Sequence, residues 1–580
     1  LSKRTGQSFL HGALILVAAT IVVKLIGALF KIPLTNLIGG TGMGYFMTAY
    51  TLFNPIYALS IAGLPVAVSK LVAEHAARRQ YRDVRRIMKL SCTLFFILGL
   101  GGFLLLFFGA PLFAKLVGNQ DALLSILMIS PAVFFGCMMS SYRGYYEGLR
   151  NMYPTAVSQI VEAVAKLGFG IFGAAYLMQL GMQQYETTGL VFGTLVNSLD
   201  DAKAHILPFA AAGAIAGVAL STMMGALFLI LRHRLKGDGI TKEQMAASPP
   251  AQRRRVLMRS IVKIALPACL GAVVINITSL IDVVTIMNRL QSAIQEAPDV
   301  ILSMYRAFLP EGMNLSEIPN YLYGSYNGTA VTIFNLVPAI TVSFGISALP
   351  AVASAWGLRN KKQIQHSIQS VLRITTLIAI PAGVGLSVLA QPILELLYSA
   401  RPDECMIAAP LLQMMGIGAI FVAITTPVNS ILQAVGRAGI PVKLMILGAS
   451  LKLATNLVLI SIPSVNIKGA PIGTILCYVL IVLLSLWILK RSTNVSLNVS
   501  GVFLKPGFAA AIMGVTAFVS HDILARIIDG KLATLCAIAL SGIIYIFVLF
   551  LIRGIVKDDV IMLPKGEKIA KALEKYKLIG

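Results

Sequence analysis

Lys24, Lys166 and Lys452 are the side chains of this sequence best placed to do chemistry, because each stands inside an otherwise apolar stretch. Lys166 lies about 18 Å along a helix from Pro154, and Lys452 about 16 Å from Pro441, at about 1.5 Å per residue. Those depths put them near mid-membrane. A lysine at the centre of a bilayer costs about 2.5–3.5 kcal/mol even on the lenient insertion scale, so something must offset it. A polar cavity that receives an anionic cargo would do so. Glu162 stands four residues before Lys166 and can neutralise it across one helical turn, a purely structural reading of equal standing. Lys452 has no acidic residue within a turn. Lys24 could contact a phosphate as a flexible point charge, or snorkel outward, although Lys31 is the better placed to snorkel.

Other polar residues extend the candidate set. Asp282, near Asn276 and Asn288, could bind a coupling cation or proton, or form a static pair with Lys24. Arg143 and Glu147, beside Tyr142, Tyr145 and Tyr146, read as interfacial anchors or as a gate. Asn54-Pro55, Pro65, Asn335, Pro338, Pro350 and Pro427 interrupt apolar helices, where a proline frees a carbonyl that lines a polar path or marks a kink. Asn54 and Asn335 therefore join Lys24, Glu162, Lys166 and Lys452 as candidate substrate ligands, with Asp282, Arg143 and Glu147 assigned to coupling or gating.

The elements that must position these residues are membrane helices. Of 580 residues, 57% are hydrophobic and 12% charged, with a mean hydropathy of +0.82; a soluble domain of this length is excluded. Apolar stretches near 9–31, 45–72, 88–110, 122–146, 154–178, 204–231, 260–288, 323–352, 368–398, 406–434, 441–461, 468–490, 503–522 and 533–553 give fourteen expected spans. The net charge of +24 comes from short basic blocks between spans, such as Arg78 to Arg86, Arg232 to Arg259 and Arg359 to Lys362. They fall on one side of the count. That pattern fits the positive-inside rule and not a nucleic-acid surface; both termini are then cytoplasmic. The opposite loops, including 179–203 and 290–322, are poor in Lys and Arg and read as insertions without an assigned role.

An internal repeat organises the spans. Leu64-Pro65-Val66-Ala67-Val68-Ser69 recurs as Leu349-Pro350-Ala351-Val352-Ala353-Ser354, and the stretch from Pro154 to Lys166 is echoed from Pro441 to Lys452. Six spans is an even number, so the halves are expected to be parallel repeats about an axis along the membrane normal, flanking a cavity. The expected architecture is an all-α polytopic membrane protein of about fourteen transmembrane helices, two six-helix repeats plus two C-terminal helices. Its parts are an N-terminal lobe at 1–232, a basic cytoplasmic linker at 233–259, a second lobe at 260–491, helices 13 and 14 at 492–554, and an amphipathic tail at 555–580 on the inner leaflet. The run after Lys3 and Arg4 continues to about Phe30 without a small-residue cleavage site and reads as a retained first helix.

Enzyme signatures are missing from the sequence: there is no Walker A loop and no His-Glu-x-x-His. Gly39-Gly40-Thr41-Gly42-Met43-Gly44 joins two membrane helices and reads as a tight turn. The six cysteines lack metal or disulfide spacing. No cofactor is expected; a cation, a proton, the membrane potential or the substrate's own gradient is left to drive any transport.

Lys24-Leu25-Ile26-Gly27, Gly39 to Tyr45 and Ala62-Gly63-Leu64-Pro65-Val66-Ala67-Val68-Ser69-Lys70 resemble the polysaccharide-transport branch of the MOP flippase superfamily, in particular the stage V sporulation protein B group, which is similar to the lipid II flippases. The resemblance implies a flippase that moves a polyprenyl-diphosphate-linked glycan, lipid II above all, across the bacterial cytoplasmic membrane by alternating access. It implies a cationic cavity for the diphosphate, and as partners a lipid-linked oligosaccharide, the phospholipid bilayer and cell-wall synthesis proteins. Lys24 falls where the lipid II flippases carry a basic residue; their next basic position falls on Phe30, where this chain offers Lys31 instead, and the acidic residue after their first loop is absent, Gly44 standing near its place. Rival readings are a flippase for another envelope polysaccharide unit, an ion-coupled multidrug exporter, whose cavity should carry carboxylates, and a membrane glycosyltransferase, whose catalytic acids should lie in substantial outer loops.

Overall fold

The computed structural model describes residues 9–58, 64–496 and 498–556, without the side chains of 9–14, 17, 267, 268, 270–275, 277, 343 and 346–351. Nearly all of the expected amphipathic tail, from residue 557 on, lies outside the described residues. Among those described, eleven helices are long and apolar enough to cross a membrane. The chain divides into two compact units, the first made of residues up to 291 with 310–324, the second of 292–309 with everything from 325 on.

The first unit opens with α1 (Phe9–Ala58), which is interrupted at Gly39 with φ 63° and ψ −173°, a conformation that only glycine adopts at low cost. The consequence is large. Phe30 and Phe46 would stand about 24 Å apart on a straight helix, yet their ring centroids are 5.9 Å apart. α1 is therefore two arms folded back on each other, and the expected tight turn at 39–44 reduces to Gly39, the other glycines being helical. α2 (Leu64–Ala77), α3 (Tyr81–Val117), α4 (Leu123–Gly148), α5 (Tyr153–Thr188) and α6 (Leu199–Lys236) follow. Their outward faces carry Leu105, Phe108, Phe172 and Leu227, as lipid-facing helices require. Bilayer tails are as apolar as leucine, so helices are joined by close packing of small residues. α5 meets α6 in this way, Gly173 against Gly213 and Gly170 against Gly217, where added methyl groups would overlap backbone. The loop after α5 carries a two-residue hairpin, β1 (Leu190–Val191) and β2 (Thr194–Leu195).

The basic linker after α6 is a strap fastened to the first turns of α3. Arg85 forks onto Asp238, Arg86 donates to the carbonyls of Ala251 and Gln252, and the Gln252 amide donates to the buried Asp83 carboxylate at 2.7 Å. The strap includes α7 (Lys242–Ala246), whose Thr241 and Gln244 form a capping box. It leads into α8 (Arg254–Glu296), whose Leu257, Ile261, Ala265 and Cys269 complete a core with Leu64, Val68 and Phe95.

The second unit contains α9 (Pro298–Tyr305). After α10 (Ile318–Ser325), most of which packs in the first unit, come a π turn at Tyr326–Ala330, α11 (Val331–Phe334) and α12 (Leu336–Gly357), with a break at Asn335. α13 (Lys361–Val388), α14 (Ala390–Leu397), α15 (Pro402–Ala434), α16 (Gly439–Leu459) and α17 (Gly469–Thr493) follow, with α15 packed on α12, α13 and α17. α18 (Lys505–Ala525) and α19 (Gly530–Leu551) pair with each other and lean on α13 and α14. The spans expected near 260–288 and 323–352 coincide with α8 and with the series from α10 to α12; the span expected near 45–72 begins in the second arm of α1.

Arginine ends several helices. Arg79, Arg150, Arg359 and Arg553 have φ between 48° and 58°, and in each case the next residue's amide reaches back to a carbonyl five residues earlier, as in Gln80 to His75 and Asn151 to Tyr146. Glycine usually takes this left-handed position. Arginine accepts about 1–2 kcal/mol of strain there and in return sets a cation at the negative end of the helix dipole.

Candidate functional site

The folded-back α1 brings an aromatic ladder into line. Phe46, Tyr50, Phe53 and Tyr57 sit three or four residues apart on its second arm, so they share one face, and consecutive rings lie 5.8, 6.0 and 4.6 Å apart. Phe30 of the first arm continues the ladder beyond Phe46. α5 lies alongside. Gly170 leaves room there for the Phe30 ring, and Gly136 of α4 leaves room for Tyr57.

Lys166 and Glu162 project from α5 toward opposite ends of this ladder. The Lys166 ammonium lies 5.0 Å from the Phe30 ring centroid and 4.9 Å from that of Tyr50, and donates to the Tyr50 hydroxyl at 3.4 Å. Lys31 stands within electrostatic reach of both Lys166 and Lys24. Three cations are thus gathered in the first unit, Lys24 exposed and the other two half-buried. Among the described residues none of the three forms an ion pair.

The pairing of Glu162 is the chief departure from the i,i+4 expectation. Its partner is Arg143 of α4, at 3.0 Å, with side chains only 11% and 23% exposed. Arg143 also donates to the Ser158 hydroxyl at 2.9 Å, and the Tyr57 hydroxyl donates to Glu162 at 3.4 Å. The planar guanidinium bridges Glu162 and Ser158 while Tyr57 takes the other carboxylate oxygen, a set of partners that an ammonium one turn away on the same helix does not supply. Lys166 therefore keeps its charge for the ladder and the space beside it. Glu147 lies within electrostatic reach of Arg143, so these two residues, read from the sequence as interfacial anchors or a gate, belong to a half-buried network joining α4 to α5.

The remaining candidates lie elsewhere. Asn54 is half-buried on the second arm of α1. Asp282 of α8 is within reach of Tyr323 of α10. In the second unit Lys452 is 4% exposed and Asn456, one turn on, is fully buried; Gly473 of α17 leaves the space that both use. Asn335 is exposed at the break between α11 and α12. Lys31 is read from the sequence as a snorkelling lysine and as the basic residue beside Phe30, not as a member of this cluster, and the aromatic ladder is not singled out there, although the stripe of 46, 50, 53 and 57 is visible. Arginine and glutamate from neighbouring helices pair without any sequence spacing to announce it.

Chemically, the arrangement is a cationic patch against an aromatic wall, with the nearby Arg143–Glu162 pair already neutral. It suits a multiply charged anion.

Residues 9–199 match the family model described as polysaccharide biosynthesis protein, and residues 325–537 the model of the lipid II flippase MurJ. Stage V sporulation protein B of Bacillus subtilis (strain 168) is 25% identical over 562 residues, covering 96% of this chain and 98% of the relative. The lipid II flippase MurJ of the same organism is 23% identical over 569 residues, covering 93% and 95%. Among solved structures, the lipid II flippase MurJ in an inward closed conformation superposes with a TM-score of 0.62 at 14% identity, covering 93% of this chain and 98% of that one. An inward-facing multidrug resistance MATE family transporter of the MOP superfamily gives 0.60 at 15% identity, covering 83% and 99%. These two likenesses concern the fold. Taken with the two sequence families matched along the chain, they make this a multi-pass membrane protein homologous to stage V sporulation protein B and MurJ, with the fold of the MOP superfamily.

Proposed function

We propose that this protein is a flippase that moves a polyprenyl-diphosphate-linked glycan, with lipid II as the first candidate, across the bacterial cytoplasmic membrane by alternating access. The observation that carries the reading is the gathering of Lys24, Lys31 and Lys166 without a carboxylate partner. A diphosphate supplies the missing negative charge, and the half-buried Tyr50, whose hydroxyl already meets Lys166, stands beside it. Fourteen crossings in duplicated six-helix halves, with both termini cytoplasmic, belong to the same reading; the recurrence of Leu64 to Ser69 at Leu349 to Ser354 and the basic blocks support it. An ion gradient or the membrane potential would reset the carrier, consistent with the MOP-type fold.

A second reading, a flippase for another lipid-linked envelope polysaccharide, is favoured by the match of residues 9–199 to the polysaccharide biosynthesis model. Rescue of a bacterium depleted of its own lipid II flippase separates the two. The parent protein is expected to restore growth, and a Lys31→Gln, Lys166→Gln variant of equal membrane abundance to fail. Two charge-assisted contacts at about 1.5–3 kcal/mol each correspond to at least about a hundredfold loss. Failure of the parent despite good membrane expression moves the cargo to another lipid-linked glycan; drug efflux without any effect on the envelope overturns the flippase reading.

A further inference from the structure

The basic end of the first unit contains a cavity of about 660 Å³, and none of the site residues described above lines it. Its walls come from the end of α2, the start of α3, the α4–α5 turn and the end of α6 with the loop that follows. Arg150, Arg232, Lys236 and Asp238 supply the charge, while Tyr81 and Tyr146 supply the aromatic surface. The count is three cations to one carboxylate, and that carboxylate is occupied. Asp238 accepts from Arg85 at 2.9 and 3.2 Å, from the Tyr145 hydroxyl at 3.0 Å and from the Ile240 amide at 3.0 Å. Among the described residues Arg150, Arg232 and Lys236 make no ion pair.

One of the cations is held in place. The Arg232 guanidinium rests 4.9 Å from the Tyr146 ring centroid, and Tyr146 is itself fixed by donating to the Gly237 carbonyl at 3.1 Å and meeting His233 Nδ1 at 3.0 Å. Arg150 occupies the left-handed turn residue between α4 and α5, at φ 58°. Gly237 and Gly239, at φ 66° and 81°, bend the chain around the far side of the cavity. Three cations around a concave space, one of them oriented by an aromatic ring and the local carboxylate already saturated, suit a group bearing several negative oxygens.

We propose that this cavity is a second anion site of the protein, which takes a phosphate-bearing group through Arg150, Arg232 and Lys236. It stands independently of the flippase reading and of the Lys24–Lys31–Lys166 cluster. The phosphate belongs either to a membrane lipid headgroup or to a water-soluble compound, and the chemistry of recognition is the same for both.

The test uses the full chain in nanodiscs with Tyr81→Trp as a reporter in the cavity wall, the two native tryptophans, Trp356 and Trp487, lying in the second unit. In zwitterionic phosphatidylcholine discs, inorganic pyrophosphate is titrated. In a second arm, phosphatidylglycerol is added to the discs. A change in reporter emission with pyrophosphate alone identifies a water-soluble ligand. A change with phosphatidylglycerol that pyrophosphate reverses identifies a lipid headgroup, and either result supports the site. Arg150→Gln, Arg232→Gln, Lys236→Gln should weaken the response about tenfold or more, with recovery in the corresponding lysine or arginine exchange. Lys31→Gln, Lys166→Gln should leave it unchanged. No response in either arm, or an equal response from the Arg150, Arg232, Lys236 variant with an unchanged melting temperature, overturns the proposal. If that variant fails to fold, the single exchange Arg150→Gln, at an exposed turn, is read in its place by the same criteria.

Discussion

The most consequential residue is Glu162, because its choice of partner decides what Lys166 does. Had Glu162 neutralised Lys166 along α5, the cationic patch would have lost a charge. Pairing it with Arg143 closes a buried link between α4 and α5 and leaves Lys166 to the aromatic ladder. Removing one member of a mostly buried pair strands the other. Arg143→Met is therefore expected to lower stability by about 2–3 kcal/mol, while Arg143→Met with Glu162→Leu recovers most of the loss. Arg526→Met breaks the exposed Arg526–Asp522 pair of α18 and should change stability by less than about 1 kcal/mol. Denaturation midpoints in one detergent measure all three, and equal losses for Arg143→Met and Arg526→Met would show that the α4–α5 pair is not buried as described.

At the scale of the element, the site depends on the fold in α1. Gly39 alone turns the chain back so that Phe30 reaches Phe46, and that contact places Lys24 and Lys31 on the arm that faces Lys166. A methyl group at φ 63°, ψ −173° is costly. Gly39→Ala is expected to destabilise the protein by about 1–3 kcal/mol and to reduce transport. Gly27→Ala, on the first arm of the same helix where an added methyl group meets nothing within 4 Å, should be neutral or stabilising by up to about 1 kcal/mol. Thermal melts of the two variants check the pair; a Gly39→Ala protein as stable as Gly27→Ala would contradict the hairpin geometry. The arginines at left-handed helix ends follow a related logic, since each trades local strain for a cation beside exposed carbonyls.

Across the whole molecule, charge is distributed by position. Cations gather in the turns and in the strap after α6, where they bind carboxylates, carbonyls and helix ends. Burial raises the proton affinity of Asp238, but hydrogen bonds from Arg85, Ile240 and Tyr145 outweigh it and hold the pKa below the ordinary carboxylate value. Arg85 faces Asp238 from α3, Tyr145 from α4, and Arg232 and His233 from α6. A depressed pKa means that the carboxylate's stabilisation is fully present above the unfolded value and is lost as pH falls through the folded one. Hydrogen exchange of the amides at 240–252, corrected for intrinsic rates, should therefore be steady from pH 7 to about 4 and accelerate below that. Asp238→Asn should loosen the strap at pH 7, and unchanged protection in that variant would sink the assignment.

The sequence by itself determined the class of the protein. Long apolar runs separated by basic turns admit a bundle of membrane helices and little else, because backbone polar groups in lipid must be satisfied within the helix. It also exposed the lysines, since a charge in an apolar run stands out in one dimension. Only the tertiary structure decided what those charges meet. Arg143 and Glu162 are 19 residues apart, Lys166 and Tyr50 are 116 apart, and no periodicity links them. The fold of α1 at Gly39 was legible as a turn from its glycines, but which rings it would bring together was not. Side-chain partners across helices are set by packing geometry, and that geometry exists only once the helices have been placed.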